Sequence, residues 1–97
     1  TAIITDRSKA LSSLKKRIDA LEEEITKLEY DVEQDTQRLL EVTVKGEALN
    51  IKKLSQAIRE NKARIDGRFA ELQTATNEHD AKAREFDQQL AELAETM

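Results

Sequence analysis

Along the first half of this chain the core-type positions recur at alternating steps of three and four. Ile4, Arg7, Leu11, Leu14, Ile18, Leu21, Ile25, Leu28, Val32, Asp35, Leu39 and Val42 keep that rhythm without a slip, and ten of the twelve are aliphatic. Side chains three and four apart share one face of an α-helix. The run therefore predicts one long helix with an apolar seam of the heptad kind. Charged residues such as Lys15, Lys16, Arg17, Glu22, Glu23 and Glu24 fill the positions between.

The rhythm fails at Val42-Thr43-Val44-Lys45-Gly46. β-Branched residues lose rotamer freedom in a helix, and glycine readily takes the left-handed conformation that ends one. The next seam opens at Ile51, nine residues after Val42, a gap that neither a heptad nor a hendecad repeat bridges. It runs Ile51, Leu54, Ile58, Asn61, Ile65 and Phe69, then Leu72, Thr76, His79, Ala83, Phe86, Leu90, Leu93 and Met97. The two steps of four from Asn61 to Ile65 to Phe69 are a stutter, which locally unwinds a supercoil, and Gly67 lies inside it.

Two seams and one short break predict an all-α fold, an antiparallel two-helix coiled-coil hairpin. The expected bounds are helix 1 over about 5–42, a loop over about 43–49 and helix 2 over about 50–96, all in a single module spanning 1–97. Pairing positions whose numbers sum to about 93 aligns the seams: Val42 meets Ile51, Leu28 meets Ile65, Leu21 meets Leu72, and Arg7 lies beside Phe86. Charge agrees with that pairing. Residues 1–17, 18–44, 45–68 and 69–97 carry +4, −7, +4 and −5, so an antiparallel hairpin sets opposite signs side by side. The same complementarity also suits an antiparallel dimer or a domain-swapped pair. A thin two-helix rod buries little surface, and a second hairpin stacked against it would form a four-helix bundle.

Composition closes off other readings. The chain has 97 residues, no Cys, no Pro, 3% aromatic residues and 37% charged residues, the balance of long helices. Without Cys there is no thiolate metal site. A net charge of −4 gives no general attraction to nucleic acid or anionic membrane. No apolar run approaches the roughly 20 residues of a membrane span, and no secretory signal is visible. A cytoplasmic setting is the expectation. Thr1 in place of Met reads as an excised or processed piece of a larger protein.

Chemistry-bearing constellations are missing. There is no glycine-rich phosphate loop and no nucleophile–base pair, and a thin rod offers no pocket to perturb a carboxylate. No enzyme activity, cofactor, metal or small-molecule ligand is expected. The acidic cluster Glu22, Glu23, Glu24, Glu29, Asp31 and Glu33 lacks EF-hand spacing and reads as a solvated helix face. His79, the single histidine, reads as a tolerated polar spot in a loose part of the seam; Asp80 is adjacent, and neighbours in a helix do not face each other.

The expected contacts are therefore of protein with protein. The seam is carried by Leu11, Leu14, Ile18, Leu21, Ile25, Leu28, Val32, Leu39, Ile51, Leu54, Ile58, Ile65, Phe69, Leu72, Phe86 and Leu90. Asp35 and Asn61, polar at seam positions, are candidates for fixing register and specificity, with Arg38 and Arg59 in reach of Asp35. Val44 and Leu49 at the loop end, and the overhanging Leu93 and Met97, are candidate docking residues. The expected function is a non-catalytic structural or interaction coiled coil that spaces, orients or oligomerises a larger protein. One alternative is the nucleic-acid-contacting arm of an ATPase or synthetase. It would use the basic stretch 45–68, with Lys52, Lys53, Arg59, Lys62, Arg64 and Arg68. That stretch lacks interleaved aromatics for base stacking. The other is a helical partner in a secretion-chaperone or tethering bundle.

Overall fold

Gly46 sets the architecture. Its φ of 72° lies in the left-handed region that an L side chain rarely adopts. The Gly46 N–H donates to the Thr43 carbonyl at 3.1 Å and the Glu47 N–H to the Val42 carbonyl at 3.0 Å. These two bonds form a Schellman cap that satisfies the last carbonyls of the preceding helix. The Glu47 carbonyl then accepts from Ile51 N–H at 3.0 Å, and the next helix begins. The Asn50 side-chain amide donates to the Glu47 carboxylate at 3.0 Å, holding an anion near the positive end of that helix.

The computed structural model describes residues 2–96, with the backbone alone at Ile3. Two helices account for nearly all of it: α1, Ala2–Lys45, and α2, Ala48–Glu95. They form a helical hairpin, and there is no strand among the described residues. The turn is much shorter than the expected 43–49. Val42, Thr43 and Val44 stay helical, and α2 starts at Ala48. Thr43 tolerates the helix because its hydroxyl donates to the Leu39 carbonyl at 2.6 Å, a back-bond open to a threonine at a helical position. Thr26 and Thr36 do the same to Glu22 and Val32.

The hairpin comprises two compact units. One holds Thr1–Leu21 with Glu71–Met97, and the other holds Glu22–Ala70. In the first, Leu21 and Ala75 are buried, and Leu11, Leu14, Ile18, Leu72, Phe86 and Leu90 are half-buried. Arg7 meets Asp87 at 3.4 Å and Arg17 meets Glu71 at 4.0 Å, so the helices run antiparallel. In the second unit Ile25 is buried, and Leu28, Val32, Leu39, Ile51, Leu54, Ile58 and Ile65 are half-buried. There Arg68 Nε donates to Glu24 at 2.8 Å. All three interhelical bridges join a basic block to an acidic one. More than a third of each of these side chains stays in water, so each bridge contributes under about 1 kcal/mol. Their pattern favours one orientation; the apolar seam supplies most of the stability.

The seam is corrected at Ile4, Phe69 and Thr76, all of which are exposed. Phe69 is 49% exposed, while Arg68 is half-buried, Ala75 is buried and Thr76 is exposed. The inward positions of α2 run Asn61, Ile65, Arg68, Leu72, Ala75, His79, Ala83, Phe86 and Leu90. Two successive steps of four therefore fall at Ala75–His79–Ala83, later than expected. The Arg68 stem covers apolar surface while its head reaches Glu24. That keeps the three–four rhythm through Gly67 and turns Phe69 to the flank.

The two glycines predict opposite substitution effects. A Cβ at either would meet nothing within 4 Å, so packing is not at issue. Gly46→Ala must hold alanine at positive φ and is expected to cost about 1 kcal/mol. Gly67→Ala, in mid-helix, is expected to stabilise by about 1 kcal/mol. Urea melts of the two variants check this; a neutral Gly46→Ala would show that the cap does not need its left-handed residue.

Candidate contact surfaces

The two polar seam residues are each held by an arginine one turn on. Asp35 is half-buried and Arg38 lies 3.8 Å from its carboxylate. Of the two arginines in reach, Arg38 is the partner. Asn61 is half-buried, and Arg64 donates to its side-chain oxygen at 3.4 Å. Both contacts run i to i+3 on one helix, which is the spacing at which side chains meet. The one at Asp35 is an ion pair longer than a hydrogen bond; Asn61, hydrogen-bonded, can stay in a seam without the full penalty of an orphaned polar group.

His79 is half-buried, and its Nδ1 stands 3.5 Å from an Asp80 carboxylate oxygen. This corrects the expectation that adjacent residues point apart. The imidazole lies inward and the carboxylate outward, and their rotamers bring the polar tips to the outer limit of a hydrogen bond. Arg7 is half-buried with its Nη2 on Asp87, one residue beyond the Phe86 beside which it was placed. Its Nε is buried without a hydrogen-bond partner.

The loop end is apolar and open. Val44 is 89% exposed and Leu49 64% exposed, so neither seals the end of the seam. Leu40, 66% exposed, joins them; it sits four residues before Val44 on the same face of α1. Sequence reasoning passed over it, although the Leu39-Leu40 pair held the signal, because only one of two adjacent residues can face the seam. At the open end Leu93 is partly exposed; Met97, its expected companion, lies outside the described residues.

The basic stretch is mostly unpaired. Arg68 is bonded to Glu24 and Arg64 to Asn61. Lys52, Lys53, Arg59 and Lys62 are exposed and make no ion pair among the described residues. Lys52 and Arg59 line a depression of about 330 Å³ with Ser55, Gln56 and Glu60. All five come from successive turns of α2, so the depression is a strip of one helix surface and brings no second element to bear on a ligand. Gln56 donates to Glu60 within it at 3.2 Å.

Among the described residues no three His, Cys, Asp or Glu side chains gather as a metal site. No described helix is long and apolar enough to cross a membrane. Neither a protein-family model, nor a curated protein sequence, nor a solved structure matches this chain.

Proposed function

We propose that the chain is a non-catalytic helical hairpin, packed as a heptad coiled coil, that spaces, orients or oligomerises a larger protein through contacts with other protein surfaces. The observation that carries this reading is the loop end. Leu40, Val44 and Leu49 are exposed within ten residues of one another, around a turn closed by its own backbone bonds. Clustered exposed aliphatic side chains mark contact surfaces more often than isolated ones do. Their exposure also means the hairpin does not need them to fold.

The test separates contact from folding. A photoreactive residue is placed at position 45 of the chain in its native cell, with and without Leu40→Glu, Val44→Glu and Leu49→Glu together. The expected result is a discrete protein adduct that disappears in the triple variant, while the purified variant keeps its helix content and melting temperature. No adduct, or one indifferent to the three substitutions, would overturn the reading.

A second reading, an arm that contacts nucleic acid, draws on the unpaired Lys52, Lys53, Arg59 and Lys62. Exposed Phe69 adds one platform for base stacking. A labelled duplex or single strand would then shift with the chain at micromolar concentration and release steeply as salt rises. No shift at low salt removes this reading.

A further inference from the structure

The unit Glu22–Ala70 carries two charged stripes of opposite sign that find no partner within it. On α1, Glu22, Glu29, Glu33 and Leu40 are exposed. Their steps of seven, four and seven keep them on one face, with Glu22 and Leu40 five full helical turns apart. On α2, Lys52, Arg59 and Lys62 are exposed at steps of seven and three. None of these six charged side chains makes an ion pair among the described residues. Each stripe is rotated from its own seam in the same sense. In an antiparallel pair that places both on one side of the hairpin. The Glu24–Arg68 bridge, rotated the other way, occupies the opposite side.

The arrangement is self-complementary. A second hairpin laid on this side, turned about a two-fold axis parallel to the helices, sets α1 of each copy over α2 of the other. Glu29 and Glu33 of each copy then come level with Lys62 and Arg59 of the other, and Leu40 with the stem of Lys52, and symmetry makes every contact twice. Surface area points the same way. The chain exposes 7347 Å², whereas a folded monomer of its mass exposes about 5,600 Å². The excess is more than the roughly 800 Å² per partner that a standard interface covers.

We infer that the Glu22–Ala70 unit docks a second copy of this chain, α1 against α2, through these two stripes. The inference rests on the reading of the chain as a protein-contacting hairpin and names its partner.

Sedimentation equilibrium of the full chain tests it. At low salt the mass is expected at twice 11.0 kDa. It is expected to fall toward the monomer in about 1 M salt, where the Debye length is about 3 Å. The acid-reversed variant, Glu29→Lys with Glu33→Lys, is expected to be monomeric. So is the base-reversed variant, Lys52→Glu with Arg59→Glu and Lys62→Glu. An equimolar mixture of the two is expected to recover the dimer mass, because each then supplies the stripe the other needs. All five positions are exposed, so both variants should keep their helical circular dichroism. If either unfolds, the glutamine versions of the same positions replace it and are expected to weaken the dimer. A helical monomer at every concentration would overturn the second-copy inference while leaving the loop-end crosslinking test to decide the wider reading. A dimer that survives salt and both reversals, or a mixture that stays monomeric, would overturn the stripes.

Discussion

Ile25→Ala is expected to lower the stability of the folded chain by about 3 kcal/mol, and Leu21→Ala by a similar amount. Both side chains are buried, in a chain where only Ala75 joins them in that class among the described residues. Most other seam residues are half-buried, so truncating one of them removes contacts on one side only and costs less. Alanine is the better helix former by a few tenths of a kcal/mol, which works against the effect; a net loss therefore reports packing. The urea midpoint is expected to fall by about 1–3 M. The exposed Phe69 is the control. Phe69→Ala should change stability by under about 1 kcal/mol, although Phe is the larger side chain. If Phe69→Ala cost as much as Ile25→Ala, the inward face of α2 would be the one expected from hydrophobicity.

Ala75→Glu is expected to destabilise by about 3 kcal/mol, and Thr76→Glu by less than about 0.5 kcal/mol. The two positions are neighbours, and the substituted residue is the same. Ala75 is buried and Thr76 is exposed. A carboxylate at 75 must leave water or push the helices apart. At 76 the carboxylate stays solvated, and glutamate is a better helix former than threonine. Thermal and urea melts of both variants read the difference. Equal costs would mean the face turned inward between Leu72 and His79 is not the one described.

These predictions turn on what hydrophobicity alone can report. The first helix was legible from Leu11 to Leu39, though Ile4, expected in the seam, is exposed. Its seam is almost wholly aliphatic, and every residue expected inward from Leu11 to Leu39 is buried or half-buried. The second was legible from Ile51 to Ile65 and again from His79 to Leu90, and misread at Phe69 and Thr76 between them. Between Ile65 and Leu72 the choice lay between Arg68 and Phe69. Transfer free energy favours the ring, but the half-buried Arg68, its head on Glu24, keeps the step of three. The same shift moved the inward position from Thr76 to Ala75, whose small side chain says little about its surroundings.

The contact surfaces divide in the same way. Val44 and Leu49 stood out because they interrupt no seam and sit beside a glycine. Leu40 did not: the rhythm puts Leu39 inward and so leaves Leu40 outside, but that it shares a face with Val44 shows only once the helix is known to continue through Val44. Asp35 and Asn61 were visible as polar residues in apolar positions, but their arginine partners depended on rotamers. The extent of the turn was hidden for a local reason: a run of β-branched residues before glycine reads as a broken helix, while the Thr43 hydroxyl on the Leu39 carbonyl holds the helix to Lys45.

By itself, the sequence determined two long helices, the glycine that reverses the chain and the antiparallel sense of their charge blocks. Periodicity, left-handed backbone and block charge are properties of residues in order along one chain. Only the tertiary structure decided which of two adjacent residues turns inward at 68–69 and 75–76, and which charges stay unpaired. Those choices depend on what the facing helix presents at the same level, and no residue carries that information alone.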